Sequence, residues 1–261
     1  MNIQALLKKD PALYADMAAY LQNGSCDVAL STPTALWLKL RGEGLHAIAA
    51  FDLAEASAIL QSLPKDDACV LRGCEGLREL AKAAGFHGCE PCWQVVYEKN
   101  IPLPVNTELT IRHPDAQDFA KVRATYTMAG DDELRHDFAQ PDFLGGYLDG
   151  ELVGYIGLHS EGSMGLLHVF SEYRRRGYAE AIYATLINNQ LAHGRIPFAQ
   201  VICGNEPSLA LQRKLGLTVS NDLIYWIWQE AEEPDQQRQC IFHSSDAETE
   251  EKINTFATIC G

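Results

Sequence analysis

The stretch Leu166-Leu-His-Val-Phe-Ser-Glu-Tyr-Arg-Arg-Arg-Gly-Tyr-Ala179 decides how the second half of this chain is read. An apolar run ends near Phe170, a short loop holds three arginines, and a long helix is predicted from Tyr178 to His193. The first amide N–H groups of a helix lack internal partners, and their dipoles favour an approaching anion. Gly177 removes a side chain where a diphosphate would have to come close, and Ala179 keeps the first turn slim. Arg174, Arg175 and Arg176 add positive charge at the same place.

That charge stands out against the rest of the chain. The 261 residues have a formal net charge of −14, and apolar residues make up 47%. Such a chain can bury a sizeable core and is not a disordered polymer. Its acidity speaks against nucleic acid and anionic membrane as partners and suits amine-bearing ones. No run approaches the length of a membrane helix. Lys8, Lys9, Asp10 and Pro11 interrupt the first twenty residues, so no signal peptide is read and a cytoplasmic setting is expected. In a reducing compartment the eight cysteines are read as small buried apolar side chains. Cys89-Glu-Pro-Cys92, with Cys69 and Cys74, has a spacing zinc could use. Because Cys69 and Cys92 sit in apolar runs, buried thiols are the preferred reading and no metal is expected.

Working outward, strands and helices interleave, which predicts an α/β protein with a mixed, mostly antiparallel sheet and flanking helices. Asp149-Gly150 between Phe143–Leu148 and Leu152–Leu158 signals a type I′ hairpin. Further strands are expected at 108–112, 166–170, 198–203 and 223–228. Helices are expected at 114–124, opened by His113 and Pro114, and at 207–215, closed by Gly216. Asn100–Glu108, with two prolines, reads as the boundary between a first domain, 1–100, and a second, 107–230. The first holds a helix over 3–21 broken near Pro11, strands at 36–40, 45–51, 68–71 and 93–98, and helices at 54–63 and 75–84. Residues 231–261 form an acidic tail in which Asp246–Ala257 is either a docking helix or disordered.

The two halves share a repeat. A shift of 131 residues lays Ala68, Val70, Gly73, Glu75, Leu80 and Gly85 on Ala199, Val201, Gly204, Glu206, Leu211 and Gly216. The first half has no arginine loop: Asp52-Leu-Ala-Glu55 follows its corresponding strand, and Cys74 stands where Asn205 would. It reads as a degenerate copy.

Arg174-x-x-Gly177-x-Ala179 resembles the Arg/Gln-x-x-Gly-x-Gly/Ala loop of the GNAT superfamily of N-acyltransferases, in the same position between strand and helix. Leu167-His-Val169 with Glu172-Tyr173 looks like that family's approach to the loop. Asn205-x-x-Ser208-x-x-Leu211-x-x-Lys214-Leu-Gly-Leu217 resembles its second cofactor-contacting helix. The tandem plan is similar to the glycine N-acyltransferase-like branch.

The resemblance implies a duplicated GNAT fold and acetyl-CoA as acyl donor. Its diphosphate would rest on Arg174, Arg175, Arg176, Gly177, Tyr178 and Ala179, and its pantetheine arm on the backbone of Leu167, His168 and Val169. Asn205, Ser208 and Gln212 would complete the cofactor contacts. The acceptor would be the amine of a small molecule or amino acid, attacking directly. Where many members have a tyrosine that protonates the leaving thiolate, this chain has Gln212, which cannot. Tyr183 or Tyr225 could replace it, or the thiolate leaves unaided. Glu161 and His168 are the candidate general bases. A non-catalytic acyl-CoA-binding module and an interaction scaffold are the alternatives, and the chain could be a monomer or a homodimer.

Overall fold

A computed structural model describes residues 2–127 and 129–229, and the expected tail helix lies outside them. The described chain forms two compact units. One comprises residues 2–96, 201–203 and 218–229; the other comprises 97–127, 129–200 and 204–217. The second unit opens at residue 97, and residues 218–229 return to the first unit.

In the first unit, Asp10-Pro11 separates α1 (Ile3–Lys9) from α2 (Ala15–Asn23), as the proline requires. Strands β1 (Cys26–Ser31), β2 (Ala35–Leu40), β3 (Leu45–Ala50), β4 (Ala68–Gly73) and β5 (Gly88–Val96) follow. With β10 (Phe198–Ile202) and β11 (Thr218–Trp228) they form one sheet in the order β1-β2-β3-β4-β11-β5-β10. The pairings β1–β2, β2–β3, β4–β11 and β11–β5 are antiparallel, while β3–β4 is parallel. That one parallel step needs a crossover, which α3 (Leu53–Ser62) supplies. α4 (Leu77–Ala83) joins β4 to β5. Ile48, Ile59, Leu60, Leu71, Leu77, Phe86 and Ile227 pack into one core. Chain crowding explains Gly73: at φ +140° a Cβ there would lie 1.8 Å from Ala50 O.

One charged pair is sealed within this unit. Arg72 and Asp16 are both fully buried and bridge through Nη1–Oδ1 and Nη2–Oδ2, while Nη1 also donates to Leu13 O at 2.7 Å. Two parallel charge-assisted bonds offset much of the desolvation cost that a single contact would leave.

The second unit is built on the antiparallel sheet β6-β7-β8-β9: Thr110–Arg112, Leu144–Leu148, Glu151–Leu158 and Met164–Val169. The predicted type I′ turn is present, Asp149 and Gly150 both having positive φ, 50° and 85°. Helix α5 (Phe119–Thr125) starts later than expected. A 3₁₀ turn, Ala116–Asp118, precedes it, and Asp115 with Asp118 forms a reciprocal capping box, so His113 and Pro114 do not open the helix. Helix α6 (Asp131–Phe138) lies in a stretch where no element was expected. Helices α7 (Tyr178–Ala192) and α8 (Glu206–Lys214) occupy their predicted places. Val122, Leu134, Phe138, Phe143, Tyr155 and Leu166 form the core. The segment before β6 is pinned to α7, because Leu103 N–H donates to Asn188 Oδ1 (2.7 Å) and Asn188 Nδ2 donates to Leu103 O (2.9 Å).

β4–α4–β5 and β10–α8–β11 have the same order, and their paired glycines share a backbone sign: Gly73 and Gly204 at φ 140° and 92°, Gly85 and Gly216 at 96° and 81°.

Candidate acyl-transfer site

β9 is the edge of its sheet, so the N–H and C=O groups on its outer side have no neighbouring strand within that sheet. Its inner register slips by one residue against β8, from Tyr155↔His168 to Gly157↔Gly165, and Leu166 takes φ +59° at the slip. This is a β-bulge, which re-aims the groups around it. Leu167, partly exposed, follows the bulge, and His168 and Val169 are buried.

A 3₁₀ turn, Ser171–Tyr173, carries the chain from β9 into the arginine loop. Arg174 reaches back, its Nε donating to Val169 O at 2.9 Å. Arg175 is held at φ +64° and Gly177 at +80°, so the backbone turns twice through the left-handed region. Gly177 is the N-cap of α7 and has no side chain to close the helix end. Arg175, Arg176 and Gly177 are exposed. Within the described residues, no carbonyl or side chain accepts from the N–H groups of Arg175 through Glu180. The contrast with the first unit is direct: at the start of α3, Asp52 Oδ1 accepts from Glu55 N–H at 2.9 Å, so that helix end is closed by the chain's own carboxylate. The start of α3 is closed by a side chain and the start of α7 is not. Open space surrounds Gly177, where a Cβ would meet nothing within 4 Å.

The second motif stands beside the first. Asn205 caps α8 by accepting from Ser208 N–H (3.2 Å), and Gln212 Nε2 donates to Ser208 Oγ (3.2 Å). Lys214 on α8 pairs with Glu180 on the first turn of α7. Gln212 is buried, and its Oε1 has no hydrogen-bond partner. Tyr183, on α7, is fully buried with an unpartnered hydroxyl, and burial pushes its phenol up.

The catalytic candidates divide. His168 stacks on Tyr155 (ring centroids 5.5 Å apart) and meets Phe170 edge-on (5.3 Å). Burial, reinforced by Arg174, pushes its imidazole down to about 4. This environment favours the neutral form of the ring. Glu161 sits in the β8–β9 turn, where Ser163 Oγ donates to its carboxylate. Tyr225 is in the other compact unit, on β11, where it packs on the core and the Arg78 guanidinium lies 5.3 Å from its ring centre.

Sequence reading missed Asp137. It lies on α6 and is only 3% exposed. Burial pushes it up to about 6; His159 and His136 oppose the shift, and Glu133 and Glu161 add to it. No local motif marks it, because only tertiary packing buries it.

Among the described residues no three His, Cys, Asp or Glu side chains gather to hold a metal. Cys89 and Cys92 lie on β5, with the buried Cys92 thiol pushed well up by burial, and none of the six described cysteines forms a disulfide. No described helix is long and apolar enough to cross a membrane.

Residues 110–217 match the family model described as Acetyltransferase (GNAT) family. The chain therefore contains a GNAT acetyltransferase domain, and the activity class it defines is N-acetyltransferase. Similar solved structures include a GCN5-related N-acetyltransferase from Kribbella flavida, 17% identical, TM-score 0.53, covering 84% of this chain and 96% of that one. A GCN5-related N-acetyltransferase-like protein from Streptococcus suis is 13% identical with a TM-score of 0.51, covering 82% of this chain and 92% of that one. A Drosophila protein is 20% identical with a TM-score of 0.51, covering 75% of this chain and 79% of that one. At such identities the likeness is one of fold. No curated protein matches the sequence.

Proposed function

We propose that the protein transfers an acetyl group from acetyl-CoA to the primary amine of a small molecule or amino acid. The carrying observation is the set of unengaged N–H groups from Arg175 to Glu180 around the bare Gly177. The diphosphate of acetyl-CoA rests on these amides, with Arg174 to Arg176, Tyr178 and Ala179 around it. The pantetheine arm lies along Leu167, His168 and Val169 as an added strand would, and Asn205, Ser208 and Gln212 flank it. A backbone amide freed by the bulge at Leu166 polarises the thioester carbonyl. The neutral amine attacks that carbonyl, the C–N bond forms, the C–S bond breaks, and the thiolate departs. Gln212 Oε1 can only accept a hydrogen bond, so the thiolate takes its proton from another group or from water.

We further propose that the first unit descends from a second copy of the same domain and has lost donor binding. The shared glycine geometry and the self-capped end of α3 support this reading. The acidic charge suits a cationic acceptor, and the lack of a membrane-spanning helix among the described residues suits a cytoplasmic setting.

Calorimetry with acetyl-CoA tests the core of this proposal. Binding is expected for the wild type and not for Gly177→Glu, with the variant's circular dichroism retained. An unchanged affinity in Gly177→Glu would sink the assignment of the loop. Thiol release across a panel of primary amines then reads transfer.

A further inference from the structure

The arginine loop is tied down at two places. Arg174 holds its entry through the bond to Val169 O. At its exit, Tyr178 is the one buried side chain between Ser171 and Glu180, while Arg175, Arg176 and Gly177 just before it are exposed. Segments with so few buried side chains open readily. Whatever holds Tyr178 therefore decides how far the first turn of α7 is ordered before a ligand arrives.

Tyr178 is held by an acidic residue. Its hydroxyl donates to Glu108 Oε1, at the end of the segment that leads into β6. Glu108 is exposed, yet the backbone around it is fixed. On one side, Leu103 makes its two bonds to Asn188 of α7, and Pro102 and Pro104 restrict the chain beside it. On the other side, Leu109 and Ile182 of α7 close over Gly146, where a Cβ would fall 3.1 Å from Leu109 Cδ1 and 2.7 Å from Ile182 Cδ1. Glu108 is thus an acceptor in a set place. It is also a negative charge within one tyrosine side chain of the helix end proposed for a diphosphate, where like charge opposes the ligand.

We propose that Glu108 is a positioning residue for the acyl donor: through the Tyr178 hydroxyl it holds the first turn of α7 in the geometry that presents its amides to the diphosphate. This rests on the donor site proposed above and adds a residue that acts on the ligand only through another. Ordering one backbone residue at the moment of binding costs about a tenfold loss of affinity. A turn already ordered avoids that loss. Charge and geometry then act with opposite sign at Glu108. Removing a mere repulsive charge tightens donor binding; removing the support of Tyr178 loosens it.

The test uses the full chain, with Glu108→Ala, Glu108→Gln, Tyr178→Phe and the double variant Glu108→Ala with Tyr178→Phe. Calorimetry reads the acetyl-CoA Kd, and steady-state kinetics over a panel of primary amines separates KM for the donor from KM for the amine. Glu108→Ala and Tyr178→Phe should each raise the acetyl-CoA Kd about 10-fold. Both remove the same bond, so the double variant should match either single one within about 2-fold. Glu108→Gln, whose amide oxygen still accepts from the phenol, should keep most of the affinity. KM for acetyl-CoA should follow Kd, and KM for the amine should not. Glu108→Ala with wild-type or tighter affinity overturns the proposal, as do additive losses in the double variant or a Glu108→Gln protein as weak as Glu108→Ala. If Glu108→Ala does not fold, wild-type affinity in Tyr178→Phe overturns it equally. A wild type that does not bind acetyl-CoA removes the donor site itself, a different failure from a wild type that binds with variants that do not weaken.

Discussion

Arg174 and Val169 are joined by a 2.9 Å hydrogen bond from the guanidinium Nε to the backbone carbonyl that ends β9. The first arginine of the loop thus fixes the angle at which the strand hands over to the turn, and its charge remains beside the helix end. Arg174→Ala should raise the acetyl-CoA Kd about 10-fold, the value of one hydrogen bond to a charged group. Arg174→Gln, which retains a donor, should recover part of that loss. Calorimetry on the three proteins checks both.

Gly177→Ala separates backbone from binding. The added methyl meets no atom within 4 Å, but φ +80° disfavours any L-residue. The expected result is a loss of about 1–2 kcal/mol in unfolding free energy, read by urea denaturation, with acetyl-CoA affinity reduced far less than in Gly177→Glu.

His168 and Asp137 predict opposite contributions to stability below neutral pH. The His168 imidazole is depressed to about 4 in the folded state, so the unfolded chain binds the extra proton between about 4 and 6.5. Its contribution is present above that window and is lost as pH falls through it, by about 3 kcal/mol at most. Asp137 is raised to about 6, so in its case the folded state holds the extra proton. Its contribution is present at low pH and is lost as pH rises from about 4 to 6. His168→Phe, which keeps an aromatic ring against Tyr155, should therefore flatten the rise in stability between pH 4 and 6.5. Asp137→Asn should steepen it. Denaturant titrations across that range measure both slopes.

Much of the second unit can be read locally. Asp149-Gly150 needs only two residues willing to adopt positive φ, and the structure has both. The arginine loop is similar, since Gly177 and the apolar strand before it specify a free helix end without help from distant residues. β1 was not legible because only Cys26 of its six residues is buried, leaving no alternation to detect. α6 begins at Gly130 with no side-chain cap and buries only Leu134, Asp137 and Phe138, so neither its start nor its apolar stripe is written plainly. β11 begins earlier than its apolar run because Thr218 and Val219 continue the pairing with β5 past a register shift that spans the polar Ser220 to Asp222. Where Tyr225 packs, on the core of the first unit, is set by tertiary contacts that its local sequence does not carry.

The Asp16–Arg72 pair offers a test in the first unit. Removing one partner leaves a fully buried charge, so Asp16→Leu or Arg72→Met should each cost about 3–5 kcal/mol. The double variant Asp16→Leu with Arg72→Met should recover most of that loss. Thermal or urea unfolding of the four proteins completes the cycle.

Gln212 can be probed through its unpartnered Oε1. Gln212→Met removes a buried acceptor at nearly constant volume and should leave stability unchanged or raise it by about 1 kcal/mol. If Gln212 plays no part in thiolate departure, kcat in the thiol-release assay stays within a few-fold of wild type.

The position of β11 between β4 and β5 has a consequence for biosynthesis. As the polypeptide leaves the ribosome, the first sheet is synthesised with a gap that only residues near the far end can fill. Until Trp228 emerges, β4 and β5 each expose a ladder of backbone groups to any passing strand. A chain terminated at residue 217 would lose the middle of a sheet some 120 residues behind it, and should aggregate rather than accumulate as a folded fragment.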